Sequence, residues 1–185
     1  MIANSYPFIK LDYTLPPEQL VIDLINNDNG TNFIPGQILF STPKLIYNAR
    51  HNTSVIVTAS KDSYWTGTTK LHYNRIDIKD VTTGKSKVFK IITENNLSDL
   101  IPAIDARFKL KLTDADYIDV PLPLANDPEG LFVELEAAPT SLIFIERLTL
   151  KIDRLGQALL SVILKNFKLN GLIYTKPLLP ILIDY

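Results

Sequence analysis

Laid over itself with a shift of 79 residues, the chain meets its own apolar pattern a second time. Val21, Ile22 and Ile25 fall on Leu100, Ile101 and Ile104, and Tyr64 and Trp65 fall on Ile143 and Phe144. Leu71, Tyr73, Asn74, Arg75 and Ile76 then meet Leu150, Ile152, Asp153, Arg154 and Leu155. A shift of 78 brings Val55, Val57 and Ala59 onto Val133, Leu135 and Ala137. Helix, loop, strand and strand thus recur in one order, and a fold for this chain must accommodate that order twice. The expected architecture is α+β, with two tandem helix-plus-antiparallel-sheet units at 15–93 and 94–172, flanked by extended terminal arms at 1–14 and 173–185. One larger mixed domain is the alternative, because any two helix-plus-strand segments share apolar spacing.

The local signals support this order. Leu20, Val21, Leu24 and Ile25 form a helical stripe. Pro16 and Pro17 suit its first turn, Thr14 is the expected cap, and Gly30 fits the left-handed position after the end. Short strands follow at 37–40, 44–47 and 55–58. The strand around which the chain is organised, within Ser63–Ile78, is expected to enter at Tyr64 and Trp65, kink near Gly67 and alternate through Thr69, Leu71 and Tyr73. Residues 80–85 read as a loop and 88–92 as a strand. The second helix has Leu97, Leu100, Ile101, Ile104 and Phe108 on one face, with Asn95 or Ser98 as cap and Pro102 tolerated if Ser98 starts it. Residues 117–122 read as extended, 131–136 and 142–152 as strands, and 159–172 as one or two more.

Composition removes several classes of function. Hydrophobic residues make up 46% and charged residues 21%, which is a folding composition. A net charge of −1 leaves no basic field for nucleic acid. With no cysteine, thiolate metal sites and thiol nucleophiles are excluded, and two histidines cannot make a multi-histidine metal site. The start of the chain has no basic-then-apolar signal pattern. The longest apolar stretch, around Leu155–Leu164, is interrupted by Gly156, Gln157 and Ser161 and falls short of the roughly 20 residues a bilayer needs. The chain is therefore expected to be soluble, with no membrane partner, no cofactor and no small-molecule substrate.

Among polar residues, Asp114, Asp116 and Asp119 resemble the start of a calcium loop but lack its glycine and its distal glutamate, so they read as a capped turn. His72 and His51 read as surface residues without an acid–serine set around them. Asn74-Arg75-Ile76-Asp77 reads either as partner-facing or as a local turn, with Asn74 on its own backbone and Arg75 paired to Asp77 or Asp80. Its recurrence at Asp153-Arg154 favours the structural role. Basic and aromatic residues near the long strand are interleaved with Asp62, Asp77 and Asp80, which suits a solvated face better than a nucleic-acid site.

Leu24-Ile25-Asn26-Asn27-Asp28-Asn29-Gly30-Thr31, Val55-Ile56-Val57-Thr58-Ala59, Tyr64-Trp65-Thr66-Gly67 and Leu71-His72-Tyr73-Asn74-Arg75-Ile76-Asp77 resemble a family of virion structural proteins from large (jumbo) tailed bacteriophages. In that family a helix ending in Asn-Gly-Thr leads to a valine–threonine strand and a Tyr-Thr-Gly strand closing on an Asn-Arg-hydrophobic-Asp turn. Leu110–Ile118 resembles the turn after its second helix. Trp65 displaces the Thr-Gly pair by one, and the second half of the chain lacks the Tyr-Thr-Gly signature. The resemblance carries no catalytic residues. It implies a non-enzymatic structural protein of the virion, whose partners are other virion proteins and copies of itself; where in the particle it sits does not follow from the resemblance, and tail or baseplate is expected over capsid.

The apolar arm and tail supply the expected interface: Tyr6, Phe8, Leu11, Tyr13, Leu178, Leu179, Ile181, Ile183 and Tyr185, acting by strand addition to a neighbour's sheet. The rival is a receptor- or carbohydrate-binding module of a tail tip that uses Tyr64 and Trp65 as a stacking platform. A core Trp65 would favour the scaffold, and an exposed one beside polar groups the binder. Deletion of residues 174–185 is expected to impair assembly while the monomer stays folded, as read by particle incorporation and circular dichroism.

Overall fold

The computed structural model of the protein describes residues 11–47, 50–123 and 131–154. Its fold is α+β. Helix α1, Pro17–Asn29, starts at a proline whose missing N–H costs nothing in the first turn, and Pro16 is its cap residue. Thr14 does not cap it. The Thr14 hydroxyl donates to the Asp12 carboxylate at 2.7 Å, in a turn closed by the Leu15 N–H on the Asp12 carbonyl, so the described end of the arm is a turn and not a strand. Gly30, at φ 64, ends α1 with its N–H on the Asn26 carbonyl. Leu20, Val21 and Ile22 are buried, and Leu24 and Ile25 are half-buried.

The first sheet is built on β3, Thr53–Ala59. On one side it pairs with β1, Ile38–Phe40, and β2, Lys44–Leu45; on the other with β4, Thr68–Tyr73, all antiparallel. Val55 and Val57 turn inward with Ile38 onto Ile22 of α1, while Ile56 and Leu39 lie on the open face. The ladder does not begin at Tyr64 and Trp65 as expected. The Ser63 hydroxyl donates to the Ser60 carbonyl at 2.8 Å and accepts the Trp65 N–H at 3.3 Å, which holds the chain in a turn. Gly67, at φ 101, then redirects it into β4.

Strand β5, Ile76–Asp77, runs into a short helix α2, Ile78–Val81, where the Asp77 carboxylate accepts the Lys79 N–H. Strand β6, Val88–Ile91, precedes α3, Leu97–Phe108. Asn96 caps α3 in a capping box with Asp99, and the Ser98 N–H is taken by Asp119 instead. Pro102 therefore sits inside the helix. The expected five-residue face of α3 is buried. After the bridged segment at 117–121 come β7, Leu131–Glu136, β8, Phe144–Ile145, and β9, Arg147–Arg154. The single strand expected at 142–152 is broken at Glu146, φ 68. Strand β9 is central, with β7 antiparallel on one side and β6 parallel on the other, and β5 pairs with β8 in parallel. The expected boundary at residue 93 therefore does not separate the sheets, and pairing is not antiparallel throughout.

The main core gathers α3, β6, β7 and β9, together with Leu20 and Val21 of α1 and Ile78. The two hairpin-like pairs share one register. Val55 faces Leu71 and Val57 faces Thr69, while Val133 faces Leu150 and Leu135 faces Leu148. The sequence shifts of 78 and 79 carry one set onto the other. Ile104→Ala, at a fully buried site, is expected to cost about 2–5 kcal/mol, and Ile56→Ala, on the open face, under about 1 kcal/mol, by urea unfolding.

Candidate functional site

The most distinctive polar cluster is turned inward. Arg75 is 6% exposed and donates from Nε to the Thr53 hydroxyl at 3.0 Å and from Nη1 to the Ser141 carbonyl at 2.9 Å. Arg154 is also 6% exposed and donates to the carbonyls of Pro123 at 3.1 Å and Glu94 at 2.9 Å. The expected pairing of Arg75 with Asp77 or Asp80 does not form; Asp77 caps α2. Nor does Asn74 bond its own backbone. It accepts the Asn52 N–H and donates to the Arg50 carbonyl. Asn52 in turn accepts the Arg75 N–H and donates to its carbonyl, so two asparagines latch the 50–52 loop to the end of β4. The expected local turn is therefore not what forms: the cluster is bonded within the chain, but to partners 22 to 66 residues away.

Burial lowers the pKa of Arg75, partly offset by the neighbouring Tyr73. The Tyr73 hydroxyl, which donates to the Leu142 carbonyl at 2.7 Å, is pushed up to about 12 by burial, against the favourable charge of Arg75.

The acids at 114–119 diverge. Asp116 is buried and accepts the Thr113 N–H, the Thr113 hydroxyl and the Ser141 hydroxyl at 2.9, 2.6 and 2.8 Å. Asp119 takes the N–H and hydroxyl of Ser98, and Asp114 lies exposed beside the Tyr117 hydroxyl. Among the described residues no three acids or histidines converge as a metal site. The two histidines, read separately from sequence, come together with ring centroids 6.3 Å apart, because the 50–52 loop folds against β4.

An open apolar groove of about 310 Å³ runs along the inner face of β4. Trp65 is 49% exposed at its rim and meets Phe33 edge-on at 5.2 Å, and Tyr64 beside it is fully exposed. Ile25, Ile38, Val57 and Leu71 form the floor, threonines complete the wall, and among the described residues no ionisable side chain lines it. Asn26 fixes Phe33 there. Its Oδ1 accepts the Phe33 N–H at 2.7 Å and the Thr31 hydroxyl at 2.9 Å, and its Nδ2 donates to the Phe33 carbonyl at 2.8 Å. Sequence reasoning took Asn26 only as part of a helix end. The readable signal was an asparagine followed by Gly30 and Thr31, an arrangement that lets a side chain reach forward over a sharp turn. A second cavity, about 320 Å³, lies between Pro43, Leu45, Phe144 and the segment 136–139, with three ionisable side chains, Arg75, Glu136 and Glu146, in its wall.

Of the expected interface residues, Leu11 and Tyr13 are half-buried against the chain's own main core, Tyr13 with its ring 6.4 Å from that of Phe144. Tyr6, Phe8, Leu178, Leu179, Ile181, Ile183 and Tyr185 lie outside the described residues.

Residues 10–178 match a family of unknown function, DUF7941. The chain belongs to that family. Neither a curated protein nor a solved structure matches it. Membership of DUF7941 brings no activity with it, so function must be argued from the groove and the buried polar network.

Ionisation of Tyr73 is harder in the folded chain, so its contribution to stability is complete below its ordinary value of 10.0 and is lost as pH rises from there through about 12. Urea unfolding of Tyr73→Phe is expected to show a shallower loss of stability than the unsubstituted chain across that range.

Proposed function

We propose that this chain is a non-enzymatic assembly protein, a structural component of a tailed-phage virion in tail or baseplate, which works by subunit packing and by strand addition from its terminal arms. The observation that carries the assembly reading is the Trp65–Phe33 groove, a solvent-open apolar cleft without an ionisable side chain among the described residues. Catalysis needs convergent titratable groups in a pocket; the groove has none among the described residues, and in the second cavity, where Glu136 and Glu146 also line the wall, Arg75 is engaged by Thr53 and Ser141. The buried polar groups here, Arg75, Arg154, Asp116 and Ser141, are instead occupied within the chain. Two tandem units, with a first unit that lends β6 to the second sheet, account for the shared strand register. Placement in the virion is supported by the motif resemblance at 24–31, 55–59, 64–67, 71–77 and 110–118.

Trp65 is not in the core, the outcome that would have favoured the scaffold, and its exposure together with that of Tyr64 favours a second reading, a receptor- or carbohydrate-binding module of a tail tip. A sugar site sets polar donors and acceptors around its aromatic face. Among the described residues the polar groups in this groove are threonine hydroxyls and the Trp65 indole, which suits an apolar protein segment better. Mass spectrometry of purified particles is expected to find the chain in several copies per particle. Trp65→Ser is expected to lower its incorporation severalfold with an unchanged melting temperature. Full incorporation of Trp65→Ser together with lost glycan binding would favour the second reading.

A further inference from the structure

Among the described residues β4 has one strand partner, β3, and its other edge is open. The bond from the Ala59 N–H to the Gly67 carbonyl fixes which residues face that edge. Positions 67, 69, 71 and 73 turn their main-chain groups to β3, and Thr68, Lys70 and His72 turn theirs away. Side chains divide by face. Thr69 and Leu71 line the Trp65 groove, while Lys70 and His72 are exposed on the other face. An open strand edge beside an apolar groove takes up an extended segment: the edge supplies main-chain hydrogen bonds, and the groove accepts every second side chain.

The geometry sets the occupant's chemistry. It needs apolar side chains at alternate positions over the groove and an acid opposite Lys70. Residues 181–185, Ile-Leu-Ile-Asp-Tyr, have that pattern, with Ile181, Ile183 and Tyr185 on one face and Asp184 on the other. With Asp184 opposite Lys70, Ile183 and Tyr185 fall beside Thr69 and Leu71, at the groove. Pro180 precedes the segment, where an added edge strand tolerates it. The other alternating segment, the arm, has Leu11 and Tyr13 already packed on the chain's own core.

We infer that the β4 edge and the Trp65 groove receive residues 181–185 of a second copy of this chain as an added strand. This rests on the assembly reading and deepens it by naming both acceptor and segment. The test is sedimentation equilibrium of the full-length chain and its variants, with hydrogen exchange at the amides of Lys70 and His72. Ile183→Asp is expected to weaken self-association about tenfold or more by placing a charge in the groove. Lys70→Glu and Asp184→Lys are each expected to weaken it about threefold, and the double variant to restore it. These charge reversals are at surface positions, so they keep the test decisive if Ile183→Asp disturbs folding. Protection of Lys70 and His72 should rise with protein concentration. Self-association indifferent to all these variants overturns the inference and leaves the assembly reading standing. Protection independent of concentration in a monomer makes the chain's own segment the occupant and overturns the second copy. No association at any concentration removes the copy-to-copy contact of the assembly reading, and the inference with it.

Discussion

The seam between the first sheet and the segment before β9 depends on one buried cation, Arg75. Its guanidinium joins Thr53 of β3 to the Ser141 carbonyl, with no carboxylate among its hydrogen-bond partners. A buried ammonium would be a poor substitute. The planar guanidinium spreads its charge and is more weakly hydrated, so neutral oxygens set around its fork can hold it. Truncation would leave the Thr53 hydroxyl and the Ser141 carbonyl short of a donor, at about 1–3 kcal/mol for each group left unsatisfied. Ser141 also donates to Asp116 and accepts the Phe144 N–H, so the same few atoms position β8 and the 113–116 turn. Arg154 repeats the device at the far end of β9 with two carbonyls from other segments.

The groove depends on a different constraint, satisfaction of the main chain just after α1. Once Gly30 turns the chain, the N–H and carbonyl of Phe33 would lack partners, and Asn26 supplies both. Phe33 is thereby held under Trp65, and the ladder that begins at Thr68 leaves Trp65 on the groove side with half its surface in water. A loop with no regular structure thus contributes a fixed aromatic wall.

Features set by short-range rules were legible in the sequence. The α3 face, Gly30 at the end of α1 and the inward alternation of Val55 and Val57 follow from periodicity and left-handed backbone needs. The strand pairing of the second sheet was not legible. The strand expected at 88–92 forms at Val88–Ile91, but nothing in that stretch tells whether its partner lies nearby or is β9, about sixty residues on. Ser98 was misjudged for a related reason: its N–H is claimed by Asp119, a residue from a distant turn. The duty of Arg75 was inferred in kind from its recurrence at Arg154, yet its acceptors lie in another part of the chain. Trp65 could be placed beside a strand but not on a particular side of the surface, because Ser63 and Gly67 set where the ladder starts.

The left-handed residue Glu146 splits what would be one strand into β8 and β9, and both reach back to parallel partners that precede them by many residues. The first sheet, by contrast, closes on contacts between near neighbours in the chain. A ribosome releasing this polypeptide would therefore deliver a pairable β1–β4 sheet early, while β6 waited exposed for its central strand. Loop closure over that distance is slow compared with hairpin formation. The order of synthesis and the order of sheet completion coincide, and the interval between them is when the unsheltered β6 is most open to wrong pairing.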